Sequence, residues 1–260
     1  MEPMLPVGIL AGGLGTRLSE ETAGKPKPMV EIGGMPVLWH IMQIFGVQGS
    51  KEFFIALGYK GEVIKDFFLR YQHRVSDFTI NLANGQVTVD HPPVEDWRVH
   101  LMDTGLHTQT GGRVKQLLQQ AGGPMFLTYG DGVSDVDLSK LLAFHRKNGR
   151  LATVTAVLPP GRFGEMKIHD GRVQGFEEKP GVGERWINGG FFVLEPGVAN
   201  YIDGDATIFE QEPLQNLVKD GQLGVYEHQG FWQCMDALRD VRILEDIWQT
   251  GKAPWILRRV

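Results

Sequence analysis

What most constrains this chain is an apolar run, Val7 to Leu10, that breaks off into Ala11-Gly12-Gly13-Leu14-Gly15-Thr16-Arg17-Leu18. A buried strand ending on three glycines within four positions leaves several backbone N–H groups facing one small space. Glycine lets the main chain approach a ligand closely and take positive φ without a Cβ penalty. Converging amides of this kind suit phosphate oxygens. Arg17 adds a planar fork that can hold a phosphate at two points. Lys25-Pro26-Lys27-Pro28 follows, and each proline biases the lysine before it toward extended backbone. A β-like path would set both lysines on one side and a polyproline twist would separate them. Lys27 is the favoured phosphate ligand of the two. The stretch reads as a polyphosphate cradle at the carboxyl end of the first strand.

Two other phosphate motifs are excluded. The P-loop needs Gly-x-x-x-x-Gly-Lys followed by Ser or Thr, but Gly24-Lys25 is followed by Pro26 and the upstream glycine position holds Ser19. The dinucleotide fingerprint fails because Leu18 stands where its third glycine belongs. A net charge of −5 argues against a nucleic-acid partner, which usually meets a basic face, so any phosphate-binding charge must be local. The single cysteine, Cys234, cannot form an internal disulfide and fits a reducing compartment. Met-Glu-Pro-Met-Leu-Pro lacks the basic and apolar regions of a signal peptide, and no apolar run approaches the roughly 18 residues of a membrane span. The expected setting is the cytoplasm, without a membrane partner.

The order of elements points to an α/β fold. Helical spacing over Val37 to Phe45, a strand over Glu52 to Leu57 and a helix over Glu62 to Tyr71 predict a parallel sheet covered on both faces. Between about 76 and 104 the pattern turns to strands, Phe78 to Leu82, Gln86 to Val89 and Arg98 to Leu101. These are expected to extend or edge the sheet as a small β-rich excursion. Thr108-Gln109-Thr110-Gly111-Gly112-Arg113 is a second glycine-rich helix entry. It could set Thr108 and Arg113 beside a nucleotide, although a plain helix start explains it equally.

Pro124 to Tyr129 is a strand that stops at Gly130-Asp131-Gly132, which puts a carboxylate where open α/β sheets bind ligands. The competing reading is a helix cap or turn residue, a task Asp135 or Asp137 could take instead. A helix over Leu138 to Lys147, a strand over Ala152 to Leu158, a hairpin over Lys167 to Gln174 turning at Asp170-Gly171 and a strand over Phe191 to Leu194 follow. Asp236 is a second carboxylate, just before a helix over Leu238 to Trp248 in a C-terminal helical segment at about 237–260; capping is again the alternative. Trp248 and Trp255 hint at a contact between copies. The whole reads as one domain, 1–260. A cradle plus two separated aspartates suggests a Mg²⁺-nucleotide site, since Mg²⁺ takes one or two protein carboxylates together with phosphates and water.

The motif set also resembles the sugar-1-phosphate nucleotidyltransferase family. Leu10 to Leu18 with Lys25-Pro26-Lys27-Pro28-Met29 is similar to its signature. Ser19 to Thr22, Val30 to Gly34, Thr128 to Gly132, Pro159 to Gly164, Ile187 to Val193 and Gly230 to Gln233 look like its cytidylyltransferase branch. The resemblance implies a Rossmann-like mixed, mostly parallel sheet flanked by helices. It implies that CTP and α-D-glucose 1-phosphate give CDP-glucose and pyrophosphate, with Mg²⁺, for the deoxysugars of surface polysaccharide such as lipopolysaccharide O antigen. It also implies a homo-oligomer. Carried over by motif, Leu10, Ala11, Gly12, Gly13, Gly15, Thr16, Arg17, Lys27, Thr108, Arg113 and Gly130 would hold the nucleotide. Glu178, Lys179, Asn188 and Gly189 would hold the sugar phosphate, and Asp131 and Asp236 the metal. Arg17, Lys27 and Asp131 would carry the catalysis.

These residue types suit in-line attack of a sugar-phosphate oxygen on the α-phosphorus of the nucleotide. With a second pKa of about 6, a phosphomonoester is already an anion near pH 7. No general base is required, and the eight histidines are expected to be structural or superficial. The work is positioning and charge neutralisation. Two alternatives stay open: the same reaction with UTP or dTTP, and a non-catalytic nucleotide-sugar sensor on the same fold.

Overall fold

The computed structural model describes residues 4–13, 15, 24–91, 93, 95–159, 165–169, 172–177 and 185–256, with backbone pairing alone at 165–169 and 172–177. Strand β1 is Val7–Leu10, followed by helix α1 at Val37–Val47, strand β2 at Glu52–Leu57 and helix α2 at Gly61–Leu69. Strand β3, Arg98–Asp103, leads to helix α3 at Thr110–Ala121, strand β4 at Met125–Tyr129 and the short strand β5 at Gly132–Ser134. Helix α4 covers Leu138–Asn148, strand β6 Ala152–Val157 and strand β7 Phe192–Leu194. Helix α5 (Glu212–Lys219), strand β8 (Leu223–His228), strand β9 (Trp232–Cys234) and helix α6 (Leu238–Gln249) complete the series.

β1, β2, β3 and β4 run parallel, with β1 between β2 and β4. β7 pairs antiparallel with β4 and with β6, and β8 pairs parallel with β6. The central order is therefore β8-β6-β7-β4-β1-β2-β3, with β7 the reversed strand. The expected mostly parallel sheet is present. Its two faces explain the near-continuous apolar runs: a strand buried on both sides has no polar face to show. Val7 and Ile9 pack with α1 and Leu244 of α6 on one face. Leu10 packs with Val114 and Leu117 of α3 and with Leu217 of α5 on the other.

The β-rich excursion divides differently from the expectation. β3 is an integral parallel strand beside β2. The segments Phe78–Asn81 and Gln86–Val89 pair only with each other, as an antiparallel ribbon separate from the central sheet. Alternating side chains are common to a sheet edge and a two-stranded ribbon, so the sequence could not divide them. The expected hairpin near 167–174 is present as Glu165–His169 paired with Arg172–Glu177, its Asp170-Gly171 turn lying outside the described residues.

The two tryptophans at the C-terminal end differ in burial, Trp255 lying inside the chain and Trp248 only partly covered. Trp255 is 1% exposed, its indole N–H donating to Nδ1 of His40 and its ring stacked on Phe231. Trp248 meets the His40 ring edge-on. Trp255 therefore serves the fold of this chain.

Strand order sets the place for a site. The chain steps from β1 outward to β2 and β3, then crosses to β4 on the other flank of β1. At such a reversal the loops after two neighbouring parallel strands leave in opposite directions and open a crevice. Here the diverging loops are Ala11 to Gly13 and Gly130 to Asp131. Because β7 runs backward, the segment that leads into it, Asn188 to Gly190, reaches the same end of the sheet.

Candidate active site

The crevice is a cleft of about 510 Å³. Leu10, Ala11, Gly12, Gly13, Gly15, Lys27, Thr108, Arg113, Gly130 and Asp131 line it, together with Gln109, Thr110 and Tyr129. Its floor is fixed by main-chain bonds: the Ala11 N–H donates to the Ala56 carbonyl, and the Gly130 N–H to that of Leu10, each at 3.0 Å. Two glycines are there for space. A Cβ at Gly130 would lie 2.8 Å from the Leu10 oxygen, and one at Gly12 would overlap the Arg113 guanidinium.

Arg113 sits differently from a free phosphate ligand. It is 4% exposed and donates to the carbonyls of Leu57 (2.6 Å) and Gly12 (3.3 Å) and to the Thr104 hydroxyl. It thus ties the ends of β2 and β3 to the cradle loop, while still bordering the cleft. Burial holds its pKa below the ordinary value, with Asp103 and Asp205 acting in the opposite sense.

The two aspartates converge. β5 and β9 pair antiparallel, with Gly132 opposite Cys234, so the residue before β5 and the residues after β9 meet at one end of the ribbon. There the Met235 N–H donates to the Asp131 carbonyl at 2.8 Å. The Lys27 ammonium lies between the side chains, donating to Oδ2 of Asp131 at 2.5 Å and to Oδ1 of Asp236 at 2.6 Å. Burial works to lower the Lys27 pKa, but the two carboxylates, Asp131 foremost, outweigh it and raise it. The capping alternatives fall to other residues. Asp137 caps α4 by accepting from the Lys140 N–H. At α6 the buried Asp240 carboxylate accepts from the N–H groups of Asp236 and Ala237. Asp131 is left to line the cleft, and Asp236 reaches it through the shared Lys27 ammonium.

The lysine pair separates. Lys27 begins a short 3₁₀ turn, Lys27–Met29, and enters the cleft, whereas Lys25 borders a different cavity with Glu31, Glu62 and Arg74. On the β7 side, Asn188 donates through Nδ2 to the Tyr129 hydroxyl at 3.1 Å and accepts from the Gly190 N–H at 2.9 Å. Gly189 is pinned on both sides: its N–H donates to the Thr155 carbonyl, and its carbonyl accepts from the Trp232 indole. Thr16, Arg17, Glu178 and Lys179 lie outside the described residues. Tyr129, in the cleft wall, and Glu210 behind it, joined at 2.7 Å, were passed over by sequence reasoning. Glu210 had no local signal, while Tyr129, adjoining Gly130-Asp131, was available by position. Of the histidines, His40 and His145 are buried, and an exposed His107 lines the cleft rim.

The donor set suits a divalent cation. Two carboxylates from separate loops already share one cationic group, and Mg²⁺ asks for that number of protein carboxylates beside phosphate and water oxygens. A glycine-walled crevice at a sheet reversal, with a lysine and two acids at its mouth, defines an α/β nucleotide-binding enzyme of the nucleotidyl-transfer type. The chain belongs to the nucleotidyl transferase family, whose model matches residues 7–249.

Particular relatives narrow this further. The chain is 53% identical over 249 residues to the glucose-1-phosphate cytidylyltransferase of Salmonella typhimurium, covering 95% of this chain and 97% of that protein. It is 43% identical, over the same shares, to the probable glucose-1-phosphate cytidylyltransferase of Bacillus subtilis. In fold it is similar to HddC from Yersinia pseudotuberculosis (TM-score 0.68, 24% identity, 94% of this chain and 100% of that one).

Proposed function

We propose that this chain joins CTP and α-D-glucose 1-phosphate into CDP-glucose, releasing pyrophosphate. The observation that carries the reading is the meeting of Lys27, Asp131 and Asp236 at the mouth of the Leu10–Gly13 cradle. The choice of CTP and glucose 1-phosphate is supported by the 53% identity, nearly end to end, to a glucose-1-phosphate cytidylyltransferase.

An oxygen of the sugar phosphate attacks the α-phosphorus of CTP. A new P–O bond forms as the bond to the pyrophosphate oxygen breaks, and the electron pair leaves with pyrophosphate. The attacking oxygen is anionic near pH 7, so no side chain need take a proton. What the chain supplies is placement of two anions in line and relief of their repulsion. The cradle amides and Lys27 hold the triphosphate, and Arg17 is assigned the same task. Lys179 is assigned the incoming phosphate, and Glu178, Asn188 and Gly189 the sugar hydroxyls. Asp131 and Asp236 would hold Mg²⁺, which supplies positive charge against the phosphate oxygens.

We further infer a homo-oligomer. The ribbon at 78–89 supports it by exposing Phe78, Ile80 and Val87, each more than 40% accessible, and light scattering of the purified protein checks it. A cytoplasmic setting is supported by a nucleotide substrate and by a sequence with a single cysteine; no described helix is long and apolar enough to cross a membrane.

The test is pyrophosphate release from glucose 1-phosphate with CTP, UTP or dTTP and Mg²⁺. CTP should give the highest kcat/KM. Equal use of UTP or dTTP contradicts the nucleotide assignment, and no release with any of them favours a binding protein on the same fold.

A further inference from the structure

Behind the cleft wall lies a carboxylate with no part in the chemistry above. Glu210 is half-buried and is not among the residues that line the cleft, yet two lining residues donate to it. The Tyr129 hydroxyl donates to Oε1 at 2.7 Å and the Thr110 hydroxyl to Oε2 at 2.6 Å. Each partner leads to one edge of the cleft. Tyr129 closes β4 just before Gly130-Asp131 and accepts from Nδ2 of Asn188. Thr110 opens α3, which carries Arg113, and is separated from Thr108 only by Gln109 at the start of the helix.

We propose that Glu210 is a positioning residue that joins the two substrate edges of the cleft, orienting Asn188 through Tyr129 and anchoring the Thr108–Arg113 rim through Thr110. This rests on the function proposed above.

Donor and acceptor counting explains why a carboxylate is needed. The Thr110 oxygen already accepts from the Phe209 N–H, which leaves its proton to donate to Glu210. The Tyr129 oxygen accepts from Asn188, which leaves its proton likewise. Two donors thus meet one group, and only an ionised carboxylate accepts from both without offering a hydrogen of its own. Asn188 is fixed from both ends: its Oδ1 is taken by the Gly190 N–H and its Nδ2 by Tyr129. Burial raises the Tyr129 pKa, as does the Glu210 charge, which keeps the hydroxyl protonated and able to donate. The backbone around Glu210 supports the same clamp, since Asp205 and Thr207 accept from the N–H groups of Gln109 and Gly111 at 2.7 and 2.9 Å. An amide at 210 would turn an N–H toward one partner. In either orientation Tyr129 loses its charged acceptor: it faces an N–H and must rotate, or it donates to a neutral amide oxygen, and the tie to Asn188 loosens.

The test is a double-substitution cycle with Glu210→Gln and Tyr129→Phe, read as the KM for glucose 1-phosphate and as the side-chain amide resonance of Asn188, assigned by its loss in Asn188→Asp. Each single change should raise the sugar KM about tenfold, the scale of one lost charge-assisted bond. The double variant should match either single. Both singles should shift the Asn188 resonance with no substrate present. A sugar KM within twofold of wild type in both singles overturns the proposal. So do effects that multiply in the double variant, or an unmoved Asn188 resonance. A merely structural Glu210 would lower the melting temperature while leaving that resonance in place. The resonance needs no turnover, so it decides the positioning role even if the wild type proves to prefer another nucleotide or to be inactive, outcomes that count against the proposed function alone.

Discussion

At the residue scale three charges share one place. Lys27 is 15% exposed at its side chain and Asp131 and Asp236 are 27% and 28% exposed, so water screens the cluster only in part. Removing either acid leaves the other facing the ammonium alone and halves the donor set for a metal. Asp131→Asn and Asp236→Asn should each keep the fold and lower kcat by at least about a hundredfold, on the scale of losing one electrostatic group in a transition state. Circular dichroism and initial rates check both halves, and near-normal rates contradict the assignment. The sequence showed each aspartate as a carboxylate after a strand. It could not show that they meet, because the pairing of β5 with β9 joins segments about a hundred positions apart. It favoured Lys27 over Lys25 without giving the backbone path that separates them, which is the 3₁₀ turn at Lys27.

At the scale of elements, α6 depends on a cap that also shapes the site. Asp240 is 1% exposed and accepts from the N–H groups of Asp236 and Ala237, so one carboxylate both starts the helix and fixes the backbone that presents Asp236. Asp240→Ala should cost about 1–3 kcal/mol of stability, the range for a lost cap or an unpaired buried donor. It should lower kcat as well. Chemical denaturation with rate measurements checks this; a stability loss without a rate change would separate the cap from the site. Much of the sheet was legible because β1, β2 and β4 are largely apolar runs that end within two residues of a glycine, and β6 is rich in β-branched residues before a Pro-Pro pair. β8 was not, since its Leu-Gly-Val-Tyr-Glu-His run exposes Val225 at the outer edge of the sheet beyond β6 and gives no strong period. The ribbon at 78–89 was legible as strands but not as a separate unit, since pairing partners leave no mark on local pattern.

At the scale of the whole molecule, His40 joins parts distant in sequence. Its Nε2 hydrogen is donated to the Ile32 carbonyl at 2.8 Å, while Nδ1 accepts from the Trp255 indole at 3.3 Å. A second proton would set N–H against N–H at Trp255. Burial accordingly holds the His40 pKa below its usual 6.5. As pH falls through and below 6.5, the unfolded chain takes up a proton that the folded one refuses, so stability is lost on acidification. The wild type should therefore melt at lower temperature at pH 5.5 than at pH 7. His40→Gln should melt lower overall but with a shallower pH dependence; an unchanged slope contradicts the assignment.

The site is an assembly of the same kind, drawn from the ends of β1, β4 and β9, where Asp131 and Asp236 are proposed to hold a metal for a bound nucleotide. Mn²⁺ binding followed by electron paramagnetic resonance, with CTP present, tests that most directly. The wild type should take up Mn²⁺ at least about tenfold more tightly than Asp131→Asn or Asp236→Asn, the loss expected from one weakened ligand. Equal uptake by all three proteins would contradict the account.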